Sequence, residues 1–239
     1  MSPAAPSTFA DLLGRILRGE PGRPLVTFYD DATGERAELS GTTYANWVAK
    51  TSSLLVEELD IERGSRVLVD LPTHWLTPVM MGALWNVGAE VTNDRSGADL
   101  VVCGPLRSRL ETYADGPAPV LASALLPMGV RFRESLPAGV HDFGIEVWSQ
   151  PDAFVPWDPA DGSETLWQGS TWADLTTPGT WSGQRLLTTV NPLADPGVLL
   201  QPLMSGGSVV LWRNPDPTRL EVLRSQERVT AEHLVVKEP

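Results

Sequence analysis

Short runs of aliphatic and β-branched residues, apolar at consecutive rather than alternate positions, recur along the chain with helical patterns between them. The clearest are residues 66–71, 99–103, 120–124, 185–190 and 208–212. A strand that is apolar on both faces has to be covered on both, and a connection long enough to hold a helix joins it to a parallel neighbour. The expectation is therefore an α/β fold, a mostly parallel sheet flanked by helices. Right-handed crossovers put the loops that follow the strands along one edge, where such folds bind ligands.

The segments between these runs carry local signals. Residues 7–19 place Phe9, Leu12, Leu13, Ile16 and Leu17 on one helical face, and Gly19 with Pro21-Gly22 stops that helix. Residues 25–29 and 36–39 read as a hairpin around residues 30–34. Thr42 or Thr43 is expected to cap a helix carrying Tyr44, Trp47, Val48, Leu54, Leu55 and Leu59. A largely apolar helix over residues 75–87 ends at Gly88, and residues 89–92 return to a strand. Residues 106–113 and 198–204 read as helices, and Gly206-Gly207 reads as a turn. Asp216 caps a helix with Pro217 at its first position, and residues 229–236 close as a strand.

Residues 134–184 are different. They hold eight acidic residues (Glu134, Asp142, Glu146, Asp152, Asp158, Asp161, Glu164, Asp174) and no lysine or arginine. They also hold Trp148, Trp157, Trp167, Trp172 and Trp181, five of the nine tryptophans. This gives a first α/β part over residues 1–133, an acidic tryptophan-rich connecting segment over 134–184 and a second α/β part over 185–239. A single compact domain is the alternative. No regular structure is expected within the connecting segment.

Charge and cysteine usage exclude several functions. Thirty acidic against eighteen basic residues give a net charge of −12, the wrong sign for a polyanion, so no nucleic-acid partner is expected. The single cysteine, Cys103, excludes an internal disulfide or a cysteine-based zinc site, and its apolar strand places it in the core. His74, His141 and His233 lack ligand-like spacing and are expected at the surface or hydrogen-bonded, not on a metal. The uncharged run over residues 71–89 is interrupted by Pro72, His74, Pro78 and Asn86, so no membrane span is expected. No basic stretch precedes an apolar core at the start, which points to the cytoplasm.

Three stretches resemble the amino-terminal part of the adenylate-forming superfamily, which holds acyl-CoA synthetases, luciferases and peptide-synthetase adenylation domains. Leu59-Asp60-Ile61-Glu62-Arg63-Gly64-Ser65-Arg66-Val67 is similar to the family's LGVxxGDRV. Pro72-Thr73-His74-Trp75, with Met81-Gly82-Ala83-Leu84-Trp85-Asn86-Val87-Gly88-Ala89-Glu90-Val91, resembles LPNSxEW and AxLAxxxAGAVxVP. Pro202-Leu203-Met204-Ser205-Gly206-Gly207-Ser208-Val209-Val210-Leu211, followed by Glu227-Arg228-Val229-Thr230, looks like PLLAGAxVVL and ExxxVT. All three belong to the frame of the fold, and none carries chemistry. The resemblance covers residues 24–236 and stops before the family's aromatic-Gly-x-Thr-Glu motif and the catalytic lysine of its small domain. It implies a truncated amino-terminal part.

What the resemblance implies about chemistry is then set by what is missing. The family's phosphate loop, TSGTTGxPKG, falls just before the strand at Arg185, where backbone N–H groups and a lysine hold the nucleotide. Here the matching fragments are Gly169-Ser170-Thr171, Thr176-Thr177-Pro178-Gly179-Thr180 and Ser182-Gly183, none followed by a lysine. The only lysines are Lys50 and Lys237. Like charges about 6 Å apart repel by roughly 3 kcal/mol at an effective dielectric near 20, so the carboxylates nearby disfavour a triphosphate. The family's PLFHxGG histidine position is Asp195. No catalytic, cofactor-binding or metal residue is assigned, no cofactor is expected, and binding of ATP or coenzyme A is not expected. The reading is a catalytically inactive binding or interaction module, with a protein partner or a second copy as its partner. Two alternatives stay open: one part of a split acid–CoA ligase completed by another chain, and a binder of a cationic ligand or basic partner. The last would use Trp157, Trp167, Trp172 and Trp181 as an aromatic surface in an anionic setting; the plainer reading packs those rings on the sheet.

Overall fold

The alternation of strand and helix is present throughout a computed structural model, which describes residues 5–235. In chain order it contains α1 (Phe9–Arg18), β1 (Pro24–Asp30), β2 (Glu35–Ser40), α2 (Gly41–Glu57), β3 (Arg66–Asp70), α3 (Leu76–Val87), β4 (Glu90–Thr92), β5 (Leu100–Cys103), α4 (Arg107–Ala114) and β6 (Val120–Ala122). There follow β7 (Val140–Asp142), α5 (Phe143–Glu146), β8 (Thr165–Trp167), β9 (Ser170–Thr171), α6 (Trp172–Leu175), β10 (Arg185–Thr188), α7 (Gly197–Met204), β11 (Ser208–Arg213), α8 (Leu220–Gln226) and β12 (Ala231–His233). Two compact units share these elements. One takes the chain up to Ala45, residues 73–78 and everything from Ala173 onward; the other takes Asn46–Pro72 and Val79–Trp172.

The first unit is built on a five-stranded sheet in the order β12-β10-β11-β1-β2, parallel except for the last pair. Strands β10 and β11 are buried on both faces, as consecutive apolar residues require, while the antiparallel edge strand β2 exposes Arg36 and Glu38 and buries Leu39. The Gly206-Gly207 turn has a geometric cause. Gly206 has φ +77°, and a Cβ on Gly207 would sit 2.2 Å from the Gln184 carbonyl oxygen, where no side chain fits. The cap of α2 differs from expectation. Neither Thr42 nor Thr43 caps this helix; Ser40 Oγ accepts from the Thr43 N–H at 3.1 Å, because the helix begins one residue after β2 ends. Ser40→Ala is therefore expected to cost about 1 kcal/mol, read as a lowered urea midpoint at unchanged slope. Strand β12 is shorter than the expected run over 229–236, and Val236 lies outside the described residues.

The second unit carries a seven-stranded sheet in the order β7-β6-β5-β3-β4-β8-β9, again parallel except for its last pair. Beside its central strand β3 lies β5, whose residues Leu100, Val101, Val102 and Cys103 are all 1% exposed or less. Helix α3 is apolar on every side and is buried accordingly at Met80, Met81, Leu84 and Trp85, closing on Gly88 at φ +86°. The acidic stretch corrects the expectation of irregular chain. Its β7 pairs in parallel with β6 and its β8 with β4, so it supplies strands towards both edges of this sheet. Strands of three residues are too short for periodicity to reveal them.

Candidate functional site

The family's phosphate loop is placed by the sequence resemblance just before β10, at that strand's amino end. In the first unit the segment leading into β10, residues 176–184, is a series of turns. Three of its amides are engaged locally: Gly179 N–H donates to Ser182 Oγ at 3.3 Å, Ser182 N–H to the Gly179 carbonyl at 3.2 Å and Gln184 N–H to the Trp181 carbonyl at 3.1 Å. Trp181 N–H donates to Gln201 Oε1 at 3.4 Å, and a Cβ on Gly179 would sit 2.2 Å from that same oxygen. The segment contains no cation.

The nearest cation in sequence, Arg185, is taken up by a buried network. Glu227, 5% exposed, accepts from Tyr29 Oη at 2.5 Å, from Arg36 at 3.1 Å and from Arg185. Arg36 Nε also donates to Tyr29 Oη at 2.8 Å, and Arg185 reaches Ser208 Oγ at 2.9 Å and Thr27 Oγ1 at 3.2 Å. Burial alone pushes the Glu227 carboxyl up, but donation from Tyr29, Arg185 and Arg36 outweighs it and holds the group below its ordinary range. Burial and the neighbouring Glu227 raise the Tyr29 phenol, which keeps it a donor. Sequence reasoning placed Glu227 in a motif but missed this role; an acidic residue immediately after a helix and just before the last strand was the available signal.

In the second unit, Asp70 at the end of β3 accepts from Arg109 and from Tyr113 Oη at 2.7 Å. Burial first, then the bond to Asp70, pushes the Tyr113 phenol up to about 12. Cys103 ends β5, and burial followed by the Asp70 charge raises its thiol to about 12. A protonated, buried thiol is no nucleophile at neutral pH.

Asp195 accepts from Gly197 N–H at 2.8 Å and so shapes the entry to α7. His74 is 1% exposed. Its Nδ1 accepts from Leu76 N–H at 3.2 Å, but Nε2 has no hydrogen-bond partner and faces Glu35 Oε1 at 3.7 Å, so this histidine is neither at the surface nor fully satisfied. His141 pairs with Glu146 at 3.0 Å. Among the described residues no cluster of three or more His, Cys, Asp or Glu side chains is placed to hold a metal ion, and no helix is long and apolar enough to cross a membrane.

The four candidate tryptophans occupy different settings. Trp157 is 96% exposed and Trp172 only 3%. Trp167 is half-buried, with an indole N–H that has no hydrogen-bond partner. Trp181, in the first unit, packs against His233 with ring centroids 4.8 Å apart and the rings tilted by 37°. Exposed Val155, at 86%, was not singled out from sequence, although the prolines at 151, 156 and 159 mark an extended segment around it.

Solved CoA synthetases and CoA ligases share this fold. An acyl-CoA synthetase of Brucella canis superposes with a TM-score of 0.75 at 18% identity, over 95% of this chain and 47% of that one. An anthranilate CoA ligase in complex with anthranoyl-AMP gives 0.70 at 13%, over 96% and 50%. A fatty acyl CoA synthetase of Mycobacterium tuberculosis gives 0.69 at 16%, over 95% and 49%. This chain thus spans about half the length of the solved enzymes it resembles. A TIGR03089 family protein of Mycobacterium tuberculosis is 35% identical over 232 residues, covering 92% of this chain and 95% of that relative. The chain belongs to the TIGR03089 family. No protein-family profile matches it.

Proposed function

We propose that the chain is a catalytically inactive, adenylation-like frame that works as a binding or interaction module. The observation that carries this reading is the segment before β10. Its amides at 179, 182 and 184 are bonded within the segment and that at 181 to Gln201, it has no cation, and the adjoining Arg185 is neutralised by Glu227. A nucleotide tail needs inward-pointing N–H groups and positive charge at one place. Here those four amides and the adjoining cation are already committed to partners within the protein.

The test is ATP–pyrophosphate exchange with magnesium and a mixed carboxylic-acid library, beside thermal shift with ATP, AMP and coenzyme A. The expected results are exchange at the blank level and no shift. A ligand at a hundred times its dissociation constant adds about 2.7 kcal/mol, so a melting point raised by several degrees overturns the reading. The match to half of each solved synthetase favours a second reading, in which another chain completes a split ligase. Exchange that arises only on adding such a chain selects that alternative.

A further inference from the structure

In the second unit, residues 153–156 carry no regular structure and lead into a bend at 157, and side-chain exposure alternates along 153–157. Phe154 and Pro156 are half-buried, while Val155 and Trp157 stand out at 86% and 96% exposure. Both ends of the segment are strapped down. Lys50 Nζ donates to the Gln150 carbonyl at 2.5 Å and pairs with Asp152 at 3.1 Å. Arg63 pairs with Asp158 at 3.3 Å, Asp161 at 2.6 Å and Glu164 at 2.5 Å. An exposed tryptophan on a chain held this way is pre-organised, and little conformational freedom remains to be lost on binding. Beside it lies a cavity of about 440 Å³ with Val56, Ile61, Val87 and Phe154 among its lining residues.

Charge identifies the occupant. Exposed Glu57 and Glu62 line the same cavity, and with Asp152, Asp158, Asp161 and Glu164 they make six carboxylates around two cations, Lys50 and Arg63, both already paired. A second copy of this chain, at net −12, brings the same sign of charge to the contact, as does any nucleic acid or anionic membrane. We infer that Val155, Trp157 and the adjoining cavity form a docking surface for a basic polypeptide segment, in which arginines flank an apolar side chain. The apolar side chain enters the cavity, a guanidinium lies over the Trp157 ring, and the surplus carboxylates steer the encounter. The inference rests on the chain being a binding module and names the chemistry of its partner.

The test is fluorescence anisotropy with a short labelled peptide of arginines flanking leucines, at low and at physiological salt, against the full chain. Trp157→Ala is expected to weaken binding about thirty-fold, the effect of a central anchor, with an unchanged melting curve because the side chain is in solvent. Val155→Ser is expected to weaken it less, and Glu57→Gln with Glu62→Gln to flatten its salt dependence. A glutamate-rich control peptide is expected not to bind. Absence of binding, or equal binding by wild type and Trp157→Ala, overturns the inference. So does sedimentation showing self-association that Trp157→Ala abolishes, which makes the surface a homotypic contact. Exchange activity sinks the inactive-module reading while leaving peptide binding intact, so the two failures are distinguishable.

Discussion

Replacing Glu227 by alanine is expected to destabilise the protein by about 3–5 kcal/mol, because it removes the buried carboxylate that neutralises Arg185 and leaves that charge uncompensated, while the more exposed Arg36 keeps Glu38. The side chain is 5% exposed and accepts from Tyr29, Arg36 and Arg185, so three donors lose their acceptor at once. Those donors come from β1, β2 and β10, which makes the site a cross-link of the five-stranded sheet. Urea unfolding followed by circular dichroism reads the loss as a lower midpoint. Glu227→Gln keeps the shape but not the charge, and is expected to recover only part of it.

The same network sets a pH dependence. The Glu227 carboxyl is held below its ordinary value of 4.5 in the folded protein. Its stabilisation is therefore complete above that value and is lost as pH falls through the folded-state value. Wild-type stability should fall with acid in that range, and the Glu227→Gln variant should show a shallower decline. Equal acid slopes for the two proteins would remove Glu227 from this account.

Trp85→Ala is expected to cost a comparable 3–5 kcal/mol. The indole is 1% exposed within α3, and its Nε1 donates to the Leu166 carbonyl of β8 at 3.0 Å. Truncation opens a large void and frees that carbonyl. Trp85→Phe fills most of the volume and is expected to recover more than half of the loss, leaving about 1 kcal/mol or more for the unpaired carbonyl. Because Gln168 N–H donates to the Val91 carbonyl at 3.1 Å beside this anchor, its amide should exchange faster in both variants. A Gln168 amide unchanged by Trp85→Phe would show that the indole N–H does not hold β8 in place.

Much of the fold was legible because its causes are local. Unbroken apolar runs such as residues 100–103 require cover on both faces, which forces a parallel sheet under helices whatever the rest of the chain does. Gly88 and Gly206 mark chain reversals through their own backbone freedom, and Asp216 caps the turn leading into α8 through its own side chain, accepting from Thr218 N–H at 2.9 Å. The cap of α2 was misplaced because Ser40, Thr42 and Thr43 are equally able to cap, and only the end of β2 selects Ser40. Strands β7 and β8 were illegible because three residues carry no measurable period; they exist through partners distant in sequence.

The candidate site divides in the same way. The absence of a lysine and the density of carboxylates between residues 134 and 184 are facts of composition, visible without coordinates. That Arg185 is neutralised by Glu227, that Trp172 is buried and that Trp157 stands in solvent beside an acidic cavity are not. By itself the sequence determined the class of fold and the sign of the charge, since periodicity and composition act residue by residue. Tertiary structure alone decided which charges are neutralised and which aromatic rings remain in contact with water, because burial and pairing depend on segments up to 198 residues apart meeting in space.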